Sequence, residues 1–175
     1  MESRKLATAT LFGVIIFTVR TIFPPLFSDL FLVVEALLLG LSFILLGRGG
    51  ATYTELVNGL LASFVKMSFF PFSLALALLY GLLVDVLGTS LKVRVGDTMR
   101  AKRLITALTL ASIITGPVAY YATVFLTNLL PNDPSIYATI IVYGVISGAV
   151  GGYLAVKIWE KNLSARFKST LPRQA

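Results

Sequence analysis

Glu35, Glu55, Asn58 and Lys66 stand inside stretches of chain that are otherwise almost entirely apolar. Two carboxylates, an amide and an ammonium offer ion pairing and hydrogen bonding, the chemistry of recognising a polar or charged solute. Positions 55, 58, 62 and 66 step by three or four residues, so on a helix they share one face. Gly59 and Ala62 lie on that face too and leave space beside the polar groups. A charge at the centre of a bilayer costs about 3 kcal/mol on insertion scales, so the stripe is expected to face a bundle interior. Covalent chemistry is not expected. The chain has no Cys and no His, which removes thiolate and imidazole metal sites, Cys or Ser-His nucleophiles and the usual histidine base. It also has no P-loop, no Gly-x-Ser-x-Gly, no His-Glu-x-x-His and no carboxylate cluster of metal-ligand type. No enzyme, metal or cofactor is predicted.

The elements that must carry these residues are set by composition. The 175 residues are 57% hydrophobic and only 13% charged, with a mean hydropathy of +0.88. A soluble domain carries about 25% charged residues, so the deviation is towards lipid. A bilayer core needs about 20 helical residues per crossing. Apolar segments at 6–23, 27–46, 51–70, 71–91, 104–129 and 136–158 meet that need. Pro24-Pro25 ends the first, Gly47-Arg48-Gly49-Gly50 ends the second, and Pro71 opens the fourth. Gly116-Pro117 predicts a kink in the fifth. The predicted fold is all-α: a single domain, 1–175, forming a polytopic membrane bundle of six transmembrane helices, with a basic tail at 159–175.

The net charge is +7. In a soluble chain this would point to nucleic acid, but here the cations cluster at segment ends, which points to membrane orientation and not to nucleic acid. Arg4, Lys5, Arg48, Lys92, Arg94, Arg100, Lys102, Arg103, Lys161, Arg166, Lys168 and Arg173 all fall on one side of a six-span layout, and the opposite loops hold no Lys or Arg. The positive-inside rule then places both termini and the longest loop in the cytoplasm, in a multi-pass protein of the cell membrane. The N-terminal pattern of basic residues before an apolar run also fits a signal peptide. Lacking an Ala-x-Ala-like site, it is expected to remain as the first helix.

Glu35 lies roughly 9 Å in from Asp29, counting about 1.5 Å per residue. Arg20, Tyr80, Asp85, Tyr120, Tyr121 and Asn128 join the polar residues of the spans. Each also has a structural explanation. Arg20 and Lys66 could snorkel to headgroups, Glu35 could pair with Lys66 or Arg20, and Glu55 could pair with Arg48. Asp85 could pair with Lys92 or cap a neighbouring helix, and the tyrosines could belong to an interfacial belt. Taken together, Glu35, Glu55, Asn58 and Lys66 favour a polar pocket open away from the cytosol. Tyr80, Tyr120, Tyr121 and Asn128 are candidates to stack on a ligand or hydrogen-bond to it. A thiamine-like cation would want Glu35 or Glu55; an anionic vitamin would prefer Lys66 or Arg20.

Small residues form a second pattern. Gly144, Gly148 and Gly152 on the sixth span predict close packing inside the bundle; Ala77, Gly81, Asp85 and Gly88 share a face of the fourth. Ala9 and Gly13 share a face of the first, which could meet another protein.

The stretch 47–88 resembles the core of substrate-binding (S) components of energy-coupling factor transporters. The resemblance rests on Arg48-Gly-Gly-Ala51, a small-residue third helix, the Phe70-Pro71 turn and Leu79-Tyr80-Gly81-Leu82-Leu83. Gly-Ala-Thr-Tyr-Thr-Glu55 with Leu-Tyr80-Gly81-Leu-Leu is similar in particular to the YkoE-type component, linked to thiamine or its hydroxymethylpyrimidine part. Ala9-x-x-x-Gly13 stands where that family has an Ala-x-x-x-Ala contact to its coupling protein. The resemblance implies vitamin capture outside the cell and delivery with a membrane coupling protein and two ATPase subunits. A second likeness, of Gly81-Leu-Leu-Val-Asp85 to a helix of the rod-shape protein MreD, implies instead a membrane scaffold or assembly subunit that binds no ligand.

Overall fold

Glycine and proline set the ends of the helices. The computed structural model describes residues 2–22, 28–65, 71–95, 98–126 and 131–163. Helix α1 spans Glu2–Ile22, α2 Ser28–Leu46, α3 Gly50–Val65, α4 Phe72–Ser90, α5 Ala101–Leu126 and α6 Pro134–Ile158, followed by a π-helical turn Trp159–Leu163. Between α2 and α3 the chain reverses in three residues. Gly47 and Gly49 both adopt left-handed backbone, at φ 80 and 85, a region that side chains disfavour. Gly47 N–H closes the end of α2 on Phe43 O at 3.0 Å, and Gly50 N–H bonds Gly47 O at 3.1 Å. At the start of α6, Asp133 is the N-cap and Pro134 occupies the first turn, where its missing N–H costs nothing.

The predicted all-helical architecture is present, with differences at the edges. Helix α5 begins at Ala101 and α6 at Pro134, earlier than the apolar runs alone mark. The basic loop before α5 holds a short ribbon, β1 Arg94–Val95 against β2 Thr98–Met99, antiparallel, with Arg94 opposite Met99. Hydropathy has no means of finding four residues of pairing in a charged loop. Helix α5 runs unbroken through Pro117.

The stretches Ser3–Ile22, Phe72–Ser90, Ala101–Leu126 and Pro134–Lys161 are long and apolar enough to cross a membrane. The described apolar part of α2, Phe31–Leu46, is shorter, and positions 66–70 of the predicted third span lie outside the described residues. What faces outward supports membrane association. Helix α6 buries Gly144, Ser147, Gly148, Gly151, Gly152 and Ala155, and exposes Val142, Ile146, Val150 and Tyr153. Small residues inside and large apolar residues outside is the arrangement lipid permits and water penalises.

Helices α2 to α6 close a ring in which α3 packs on α4, α4 on α5, α5 on α6, and α6 back on α2, while α1 lies against α2 and α3. The core at the centre includes Leu39, Phe43, Ile44, Tyr80, Val84, Leu104 and Leu108. Gly144, Gly148 and Gly152 lie against Ser112, Thr109 and Ile105 of α5 in turn, so α5 and α6 run antiparallel in close contact. The α1 face expected to be open to a partner is used inside the fold. Ala9 is 3% exposed, and a Cβ on Gly13 would stand 2.6 Å from Thr54 O and 2.7 Å from Val57 Cβ of α3. That face has no room for a second protein, because α3 already occupies it.

Candidate functional site

The polar side chains of the bundle sort into three groups with different hydrogen-bond balance. The first lies at the start of α3. A helix leaves its first amides without partners, and here Asp85 of α4 supplies the acceptor. Its Oδ2 accepts from Thr52 N at 2.8 Å and from the Thr52 hydroxyl at 2.5 Å, and its Oδ1 lies 3.4 Å from Ala51 N. A carboxylate at a helix N-terminus is also favoured by the dipole. Gly81, one turn earlier on α4, makes the approach possible: a Cβ there would meet Ala51 O and Thr52 Cα, both at 2.8 Å. Of the two structural explanations for Asp85, capping a neighbouring helix is the one observed. Beside it, Ser42 of α2 donates to Gly50 O at 2.8 Å and shares a bond with the Thr54 hydroxyl at 2.7 Å.

The second group lies deeper along α3. Glu35 of α2 and Glu55 and Asn58 of α3 are 3%, 0% and 1% exposed. Arg20 reaches across from α1, its Nη1 at 3.3 Å from Glu35 Oε1, with nearly half of the arginine side chain still exposed. Asn58 Nδ2 donates to Glu55 Oε2 at 2.8 Å. The carboxyls of Glu35 and Glu55 lie within electrostatic range of each other. Tyr80, buried on α4, hydrogen-bonds the Ser112 hydroxyl of α5 at 2.9 Å, and lies within electrostatic range of both carboxyls. Among the described residues no donor reaches Glu35 Oε2, Glu55 Oε1 or Asn58 Oδ1, although all three are buried. Among the described residues, these three oxygens lack donors and one guanidinium, bonded to Glu35, stands beside the two carboxyls.

The third group holds the connection between α5 and α6. Tyr120 donates from its hydroxyl towards Asp133 O (3.0 Å) and Pro131 O (3.2 Å), and that oxygen accepts from Asp133 N at 2.8 Å. Tyr121 is 47% exposed and packs on Phe125, with ring centroids 5.8 Å apart. Eight residues separate Tyr120 from Ser112, about 12 Å along a helix. The two tyrosines grouped by sequence with the buried carboxylates therefore belong to a loop anchor and an outer aromatic surface. Lys66 and Asn128, the remaining predicted ligand contacts, lie outside the described residues.

Sequence reasoning did not single out Thr52, Ser42, Thr54 or Ser112. Hydroxyl residues within helices can bond their own backbone four residues back, as Thr54 does to Gly50 O and Ser112 to Leu108 O. Their presence in an apolar run therefore gives no sign of an external partner.

The fold and site define a helical bundle with an apolar exterior and an electron-rich polar centre. Compared with protein-family models, curated proteins and solved structures, the chain matches none.

Proposed function

We propose that the protein is a membrane-embedded solute-binding subunit that takes a small cationic solute at Glu35, Glu55 and Asn58. The observation that carries this reading is the set of three buried oxygens that have no hydrogen-bond partner among the described residues. Burying such atoms unpaired costs about 1–3 kcal/mol each, and a cation with N–H groups relieves that cost. Arg20 is engaged with Glu35, which turns the balance against an anionic solute. Tyr80 lies within electrostatic range of both carboxyls, and in this reading its ring serves as the wall on which a flat cation gains cation–π attraction. A thiamine-like cation combines these features.

In this proposal the chain crosses the cell membrane six times, with Arg48, Lys92 and Arg94 facing the cytoplasm, and works as an S component of an energy-coupling factor uptake system. A membrane coupling protein and two ATPases would then power release. The coupling protein would dock elsewhere than on Ala9 and Gly13. The native chain has no cysteine, so single cysteines at Arg48 and Asn132 allow a direct orientation test. Only the second is expected to react with an impermeant thiol reagent in intact cells.

The binding test is a thermal-shift titration of the purified protein with thiamine and hydroxymethylpyrimidine. Stabilisation of the wild type that disappears in Glu55→Gln supports the reading; equal stabilisation of both proteins, or of neither, overturns it. A scaffold of the MreD kind is favoured by one observation, the use of Asp85 as an internal cap. Failure of all cationic solutes, with a cell-envelope assembly protein recovered in stoichiometric complex, would establish that reading instead.

A further inference from the structure

A cleft lies at the basic end of the bundle, apart from the buried carboxylates. The cleft, of about 450 Å3, is lined by Phe43, Arg48, Gly88, Thr89, Lys92 and Arg94, together with Gly47. Among the described residues it has three cations on its walls and no carboxylate. They come from different segments: the α2–α3 turn, the end of α4 and strand β1. Arg94 is tied to the structure through Ile44 O, 3.2 Å from its Nη1. Arg48 and Lys92 are exposed. Phe43 is buried against Gly88, where a Cβ would come within 2.6 Å of the ring, so the ring closes the floor of the cleft.

The backbone at Lys92 is the second observation. Helix α4 ends in a Schellman arrangement: Val93 N–H bonds Gly88 O and Lys92 N–H bonds Thr89 O, each at 3.0 Å. The position that must be left-handed is Lys92, at φ 50, the only non-glycine with positive φ among the described residues. Glycine is the usual residue there, because a Cβ is strained in that region. Lysine retains the strain and adds a cation at the mouth of the cleft.

We propose that this cleft binds a phosphate group, presented by an anionic lipid headgroup or by a soluble phosphate. Basic recesses between membrane helices suit such headgroups, and the exposed side chains of Arg48 and Lys92 are free to meet one. Arg48 and Lys92 would hold the phosphate oxygens by charge-assisted hydrogen bonds.

The test uses full-length protein in a neutral detergent. Short-chain phosphatidylglycerol, short-chain phosphatidylcholine and inorganic phosphate are each titrated, with melting temperature and native mass spectrometry as readouts. Binding of phosphatidylglycerol alone assigns a lipid headgroup; binding of inorganic phosphate as well assigns a soluble phosphate. Arg48→Gln and Lys92→Gly are each expected to weaken the response about tenfold, the loss of one charge-assisted hydrogen bond. Lys92→Gly should also raise the melting temperature of the unliganded protein by relieving the left-handed strain. No response to phosphatidylglycerol or inorganic phosphate, an equal response to phosphatidylcholine, or an undiminished response in both variants overturns the proposal. So does a lower melting temperature in Lys92→Gly with binding intact, which would assign Lys92 to the helix terminus alone.

Discussion

Asp85 and Glu55 lie on the same helix contact, between α3 and α4, and both are buried at 7% and 0% exposure. Their surroundings differ in one respect. Asp85 meets three donors, all from the start of α3. Glu55 accepts from Asn58 alone, and its Oε1 has no partner among the described residues. Burial and formal charge therefore do not separate a structural carboxylate from a candidate ligand group; the balance of donors to acceptors does. Asp85 completes a helix terminus that would otherwise be unsatisfied, whereas Glu55 leaves a deficit that the fold does not need.

The largest expected effect follows from that difference. Asp85→Ala leaves the buried Ala51 amide and the half-buried Thr52 amide without acceptors and should cost about 2 kcal/mol of stability, read as a lower melting temperature in detergent. Glu55→Gln keeps the shape, removes an incompletely paired carboxyl and should change stability by less than about 1 kcal/mol, in either direction. If the two variants lose stability equally, the distinction between the carboxylates is broken. The next effect concerns Arg20 and Glu35, and it is asymmetric. Arg20→Ala strands a buried carboxylate and should cost about 2 kcal/mol, below the range for fully buried pairs because nearly half of the arginine side chain is exposed. Glu35→Gln leaves an arginine that can turn outward, and should cost less than about 1 kcal/mol. Chemical unfolding of the two variants side by side checks the asymmetry.

The helical class and the inward stripe of α3 were legible from periodicity, since Glu55, Asn58 and Gly59 fall on one buried face. The partnership of Glu35 with Arg20 was one of two pairings open to sequence. The role of Asp85 was not decidable there, because a cap donated from another helix leaves no trace at its own sequence position. Tyr120 and Tyr121 show the opposite failure. Aromatic residues in the outer half of a span read alike whether they line a cavity, face lipid or hold a loop, and only the contact of Tyr120 with Pro131 and Asp133 decides. The face of Ala9 and Gly13 was visible as small, but smallness marks a close contact without naming the partner. Here the partner is α3.

Tyr80 allows a finer comparison within the Glu55 group. Tyr80→Phe removes the hydrogen bond to Ser112 and should cost about 1 kcal/mol, because the ring and its packing remain. If the ring serves as a wall for a cation, solute affinity should survive this change. If affinity falls as far as in Glu55→Gln, the hydroxyl itself contacts the solute, and the site extends to α5.

Asp133 provides the exposed counterpart of Asp85: the same task, at the start of α6, performed in water. Its side chain accepts from Ser135 N at 2.8 Å. The backbone and side-chain hydrogen bonds from Ser135 hold its carboxyl below the ordinary value of 3.8. A carboxyl whose folded value is depressed contributes its stabilisation above the unfolded value and loses it as the pH falls through the folded one. The first turn of α6 should therefore loosen only on acidification below 3.8, seen as faster amide exchange at Ser135. Asp133→Asn retains a capping oxygen but cannot titrate, so its exchange should lack that acid-dependent step. The bundle as a whole should keep its melting temperature in this variant, because water can replace an exposed cap. It replaces Asp85 less readily, because that carboxylate and the Ala51 amide are buried between α3 and α4.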